Sequence, residues 1–271
     1  MIGALVGGFS GSSISGYRVV KSQMDMLRES FAKQPEIQRE IAKFKEAITS
    51  VETPHDLVNN YQAYTFAMHA FGLEERIFAK AFMQKAHEEG LTDKNALANR
   101  MLDPRVREMV EFFDFEAKQG ANMKDPAWID KIVDKYITAQ FEASAESGNP
   151  AVRQALYAER KAPTLNSWME VLADKDLSEV FRAAAGLPPE SARMDIDKQV
   201  ALLEKRFNIE DLKDPVKLGK IIDRFLANYD IRNGGSSMAM SIPNMLLSNS
   251  TTGYMPIIQF DPSLFLALRP K

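Results

Sequence analysis

The sequence predicts an all-α protein: a multi-helix bundle built from two diverged, pseudo-symmetric helical repeats, followed by an extended C-terminal arm. Three observations predict it. Apolar residues recur at spacings of three and four through residues 17–233, and capping residues repeatedly stand before prolines. The same span carries no series of alternating strands and no Asn-Gly hairpin.

The elements follow in order. Tyr17 to Ala32 places Val20, Met24, Leu27 and Phe31 on one helical face. Pro35 interrupts, and Ile37, Ile41, Phe44 and Ile48 resume the pattern. Thr53-Pro54-His55-Asp56 is a helix start, with Thr53 as cap, Pro54 in the first turn and Asp56 at the positive end of the helix dipole. Leu57 to Phe71 reads as one helix ended by Gly72, and Glu74 to Glu89 as another ended by Gly90. Asp103-Pro104, Asp125-Pro126, Asn149-Pro150 and Asp214-Pro215 repeat the cap-then-proline start, and Asn233-Gly234-Gly235 marks the end of the body.

Charge divides the chain into three parts. Residues 1–16 carry no charged side chain and form a flexible or partner-bound arm; no Lys or Arg precedes their short apolar run, unlike a secretory signal. Residues 17–233 form the charged helical body. Beyond Gly234 only Asp261, Arg269 and Lys271 are charged, so 234–271 is an apolar C-terminal arm.

Within the body two segments correspond. At an offset of 114, Phe66, Ala70, Gly72 and Leu73 match Val180, Ala184, Gly186 and Leu187. After an insertion containing Pro188-Pro189, an offset of 121 pairs Phe82, Lys85, Leu91, Asp93 and Leu97 with Leu203, Arg206, Leu212, Asp214 and Leu218. The expected halves lie near 36–115 and 150–231, too few copies for a solenoid.

Gly16-Tyr17-Arg18 with Gln23, Glu40 to Phe44 with Ile48, Ala70-Phe71-Gly72-Leu73, Leu97-Ala98-Asn99-Arg100 and Asp103-Pro104-Arg105 form a recognisable series. Phe181 to Leu187 and Arg224-Phe225-Leu226 continue it in the second half. Over residues 16–232 the chain resembles the bacterial domain-of-unknown-function family 1217. The resemblance implies an alphaproteobacterial protein of a kind often encoded among flagellar genes. It implies no activity and no catalytic residue set.

Composition bounds the function. The chain has 271 residues, 37 acidic and 34 basic, for a formal charge of −3. That balance argues against a generic nucleic-acid partner. Cysteine is absent, which removes disulfides, thiolate nucleophiles and cysteine-ligated metals; this fits a reducing cytoplasm and equally an exported form that needs no disulfides. No run approaches the roughly 20 apolar residues of a membrane span.

No motif in the body signals chemistry. His55, His69 and His87 lack the four-residue helical spacing of a zinc pair. His55 reads as an exposed first-turn residue, His69 as a dipole-compatible residue near a helix end, and His87, before Glu88-Glu89, as part of a solvated helix end. Glu74-Glu75 and Glu88-Glu89 are adjacent and do not share a helix face, while Asp195 and Asp197 read as helix-start residues. Glycines 3, 7, 8, 11 and 16 lack the Gly-Lys-Ser/Thr ending of a phosphate loop. Tyr61, Tyr64, Phe66, Phe71, Phe78 and Phe82 are expected in the core, with Trp128 and Trp168 anchoring helix contacts. No catalytic, cofactor or metal residue is assigned.

The candidate partner-binding residues are therefore in the C-terminal arm: Met238, Met240, Ile242, Met245, Leu246, Ile257, Ile258, Phe260, Leu264, Phe265 and Leu268. So apolar a segment is poorly suited to free solvation. It either folds back over its own helices or docks on another subunit or partner; Asp261-Pro262 could start a short helix presenting Leu264, Phe265 and Leu268 to a groove. The leading expectation is a non-enzymatic, flagellum-associated interaction or assembly protein with a protein partner. Such a protein is expected in the cytoplasm, at the flagellum, or exported without a cleaved signal peptide; a homo-oligomer is compatible. The rival expectations are a helical small-molecule-binding protein or enzyme with a pocket between its halves, and a flagellar export adaptor or chaperone.

Overall fold

Local capping chemistry starts the helices of the structure, a computed structural model that describes residues 12–233. Helix α1 is Ser13–Ser22, α2 Met24–Ala32, α3 Pro35–Ile48, α4 Pro54–Asn59 and α5 Tyr61–Ala70. Then come α6 (Lys80–Glu89), α7 (Leu97–Arg100), α8 (Pro104–Phe113) and α9 (Phe115–Lys118). The long α10 (Pro126–Ser144) leads to α11 (Pro150–Lys161), α12 (Trp168–Ala173), α13 (Lys175–Ala184), α14 (Ile196–Glu204) and α15 (Pro215–Asn233). No strand occurs among the described residues.

All four cap-then-proline starts hold. Asp103, Asp125 and Asn149 accept from the backbone N–H two residues on, at 3.1, 3.0 and 2.9 Å. Asp214 accepts from Val216 and Lys217. Thr53 and Asp56 form a reciprocal capping box. Each such cap stabilises its helix by about 1 kcal/mol.

Three expected helices are broken. The segment 17–32 divides at Gln23, which lets α1 pack on α11 and α15 while α2 turns to α10. Its first turn begins at Ser13, so the N-terminal boundary at residue 16 moves earlier. The segment 57–71 divides at Asn60, whose side chain caps α5 by accepting from Ala63 N–H at 3.1 Å. The segment 74–89 opens with a 3-10 turn, Glu74–Arg76, before α6.

Burial follows the predicted faces. Ile37, Ile41, Phe44 and Ile48 of α3 are all buried. Phe66 of α5 stacks between Phe44 and Tyr136 of α10, at centroid distances of 4.0 and 3.8 Å. Trp128 packs against Phe112 and Phe113, and Trp168 against Phe181 and Phe207. The expected aromatic core cluster is only partly right. Tyr64, Phe66 and Phe71 are buried, but Tyr61 is 66% and Phe78 97% exposed. Tyr61 sits in the first turn of α5, and the 3-10 break before α6 takes Phe78 out of the helical register.

Gly72 and Gly186 end α5 and α13 in the same way, at φ +67° and +73°. Leu73 N–H returns to Met68 O at 2.8 Å, and Leu187 N–H to Arg182 O at 3.0 Å. Each is the six-to-one bond of a glycine-terminated helix.

The helices of the two segments 36–115 and 150–231 meet at a buried polar cluster. Arg105 donates to both carboxylate oxygens of Asp103, to Gly72 O at 2.6 Å and to Glu75. Its Nε lies 3.6 Å from Asp174, which caps α13 and accepts from Tyr157 Oη. Burial would raise the Asp103 pKa, but the hydrogen bonds and charge of Arg105, aided by Arg76, outweigh it and hold the carboxyl below its ordinary range. Beside it Glu108 accepts from Lys135 and from the nearly buried Lys161.

Candidate functional site

The eleven predicted partner-binding residues, Met238 to Leu268, lie outside the described residues, as do residues 1–11. The surface next to the last described residue is the part of the body that bears on a contact role. Pro188 and Pro189 follow the glycine turn that ends α13 and start a 3-10 segment, Pro189–Arg193. This segment faces the last turns of α15, and between them lies a groove of about 610 Å³. Ala183, Phe225 and the prolines supply its apolar lining; Tyr229, Glu179, Arg232 and Asn233 supply its polar groups.

Two hydrogen bonds fix the groove. Asn228 donates to Ala183 O at 2.8 Å, and Arg232 donates to Leu187 O at 2.6 Å. Ala183 O, in the last turn of α13, also accepts from Gly186 N–H at 3.0 Å, and Leu187 O lies just past the end of that helix. Burial, then the charges of Glu179 and Asp230, raise the pKa of Tyr229 and keep its phenol protonated. The groove is thus a preformed, mainly apolar surface with one hydroxyl, one amide and a charge of each sign.

The titratable candidates are separated. His55 is exposed beside Asn59. His69 contacts Glu74 and Gln140, each at 3.2 Å. His87 corrects the sequence reading, because it is 1% exposed rather than solvated. Its ring stands edge-on to Phe113 and Phe115, at 5.4 and 5.5 Å. Neither ring nitrogen has a hydrogen-bond partner, and burial pushes its pKa down to about 3. Glu75 pairs with Arg105, Glu88 accepts from Gln84, Glu89 from Leu97 N–H, and Asp195 caps α14. Among the described residues, no three His, Asp or Glu side chains stand close enough to hold a metal ion.

The expected pocket between the halves has no counterpart in these cavities. The groove is lined from 179–233, and a smaller cavity beside His87 from 87–116. Among the described residues no helix is long and apolar enough to cross a membrane.

Comparison with known proteins gives a family match and a similar solved structure. A family described as "Protein of unknown function (DUF1217)" matches residues 70–218. The X-ray crystal structure of protein AGR_C_984 from Agrobacterium tumefaciens, a structural genomics target, is similar, with 38% sequence identity and a TM-score of 0.74. The match covers 82% of this chain and 94% of that one. No curated protein matches.

Proposed function

The chain belongs to the DUF1217 family, and from that premise we propose that it works as a non-enzymatic interaction or assembly protein associated with the bacterial flagellum. The observation that carries the reading is the segment 234–271, which has long apolar side chains and only three charged ones. A free tail of that composition is costly to solvate, so it requires a surface to cover it. The flagellar setting comes from the family resemblance. The body contributes a folded platform whose two helical sets we take as pseudo-symmetric halves, supported by the matching glycine ends at 72 and 186.

The test uses the full chain. Phe260→Asp, Phe265→Asp and Leu268→Asp are introduced together, and co-purification from the native bacterium is compared with the parent. One dominant flagellar protein that disappears from the variant, with helicity and melting unchanged, is the expected result. A variant that loses its fold would assign the segment to the core instead. A clean deletion strain with normal filaments and normal swimming would overturn the flagellar reading.

A second reading, a helical small-molecule-binding protein, is favoured by one observation. This is the unpartnered, buried imidazole of His87 at the edge of a cavity.

A further inference from the structure

Helix α1 is held to the body largely by polar contacts. Its buried apolar side chains are Tyr17 and Val20, and Ile14 packs partly against the core. Ser13 donates its N–H and its hydroxyl to Asp230. Tyr17 Oη donates to Glu159 at 2.7 Å, and Lys21 donates to the other oxygen of that carboxylate. Arg18 donates to Asp223 at 3.2 Å. Each of these contacts joins α1 to α11 or α15, between 138 and 217 residues later in the chain.

The seat that α1 occupies is acidic. Asp230 and Asp223 stand on α15 and Glu159 on α11. Among the described residues, the hydrogen bonds that these three carboxylates accept come from α1 alone. Asp230 is buried, so with α1 gone it would be a desolvated carboxylate without a donor. An empty seat is therefore costly. The helix that fills it must present a free N–H and a hydroxyl at its start, then a cation at each of the positions of Arg18 and Lys21.

The chain allows α1 to leave as a unit. It joins α2 through Gln23, a single residue at φ −121° and ψ 18°, outside both helices. Beyond that residue α2 packs on α10 instead of on the α1 seat. Rotation about Gln23 moves α1 and leaves the α2–α10 packing in place. The exposed ion pairs of Arg18 and Lys21 are weak and screened by salt, so they set a low barrier to departure.

A second copy of this chain carries the matching Ser13, Tyr17, Arg18 and Lys21. We infer that α1 exchanges between two copies, each copy's α1 filling the other's seat on α11 and α15 to give a closed two-fold dimer. The exchanged seat reproduces every contact of the unexchanged one, so concentration shifts the chain toward the dimer. The surface stands apart from residues 234–271, and the inference does not depend on the flagellar reading.

The test uses two full-length variants of opposite design. One is Arg18→Glu/Lys21→Glu; the other is Glu159→Lys/Asp223→Lys. Each alone sets like charges against each other at its own seat. Each should stay monomeric by light scattering, with α1 amides exchanging about tenfold faster than in the parent. Mixed in equal amounts, they restore opposite charges at both seats only by exchange. The expected result is a one-to-one dimer with α1 amides protected again. A mixture of two monomers that keep their helicity would overturn the inference.

A second measurement keeps the native charges at the remaining positions and does not rely on the reversed ones folding. The chain has no cysteine, so Arg18→Cys and Asp223→Cys each introduce a single thiol. The two variants are mixed at high salt and high concentration, returned to low salt and treated with a short bismaleimide. A covalent dimer from the mixture, and far less from either variant alone, is expected of exchange. Equal cross-linking in all three samples, or none in the mixture, would show that α1 stays on its own chain.

Discussion

Asp230, near the end of α15, caps the start of α1 through Ser13, 217 residues earlier in the chain. Ser13 N–H donates to Asp230 Oδ2 at 2.9 Å and Ser13 Oγ donates to Oδ1. Asn149 donates to the same hydroxyl at 2.8 Å. The carboxylate therefore sits at the positive end of the α1 dipole and joins the first and last described helices to the start of α11. Asp230→Ala should cost about 1–3 kcal/mol, because it leaves a buried N–H and hydroxyl without an acceptor. Ser13→Ala keeps the N–H bond and should cost about 1 kcal/mol. Urea unfolding gives the two values, and amide exchange should show α1 opening first in Asp230→Ala. The reverse order of costs would refute the cap.

Arg105 should be the most sensitive charged residue of the body. Its removal leaves Asp103 and Asp174, both nearly inaccessible, without their shared cation. Breaking a buried pair from one side costs about 3–5 kcal/mol. Arg105→Ala should lose that much, and adding Asp103→Asn should cost less than its own single change, since the pair is coupled. Because the folded Asp103 pKa is depressed, its contribution is present above the ordinary value of 3.8 and is lost as pH falls through the lower folded value. Additive costs in the double mutant would contradict the geometry.

His87 should make the protein lose stability on mild acidification. Unfolded, the imidazole takes up a proton near pH 6.5; folded, it resists until about pH 3. Between these values the unfolded chain binds a proton that the native chain excludes, so stability falls as pH drops. The slope is about 1.4 kcal/mol per pH unit below 6.5. His87→Phe retains the ring contacts with Phe113 and Phe115 but removes the titration. Its urea midpoint should be nearly flat between pH 6.5 and 4.5, while the parent's falls. The carboxylates lining the cavity, Glu111, Asp114 and Glu116, remain in both proteins and so cannot account for the difference. Parallel curves would rule out a buried neutral imidazole.

What could be read from the sequence follows from the range of the forces involved. Asp103, Asp125, Asn149 and Asp214 were legible because a cap acts within its own turn. Asn60 was missed as a cap because Leu57 to Phe71 carries an unbroken apolar period around it. His87 carried a readable signal: it lies four residues after the buried Met83, on the same face of α6. The neighbouring Glu88-Glu89 obscured it. Arg105 stood inside a recognised motif, but its partners Gly72 and Asp174 are brought to it only by the packing of distant helices. Phe78 illustrates the opposite error, since helical spacing implies burial only while the helix continues. The groove at Pro188-Pro189 depends on α15 lying against the end of α13, which no local pattern encodes.

Two glycines with the same backbone sign should respond differently to alanine. Gly72 and Gly120 both have positive φ, +67° and +80°. Either substitution forces a side chain into the left-handed region, at about 1–2 kcal/mol. At Gly72 the added methyl enters open space, with nothing within 4 Å. At Gly120 it would lie 2.7 Å from Glu52 Cα and 2.8 Å from Glu52 O, which are backbone atoms and cannot swing away. Lys124, in the turn after Gly120, pairs with the Glu52 carboxylate at 2.8 Å and holds the same two segments together. Relieving the clash would therefore require separating the 120–124 turn from the loop before α4. Gly120→Ala should cost about 1–3 kcal/mol more than Gly72→Ala, the range for forcing an extra methyl into a packed contact. Equal urea midpoints for the two variants would mean that this seam yields freely, and that Gly120 is needed only for its φ.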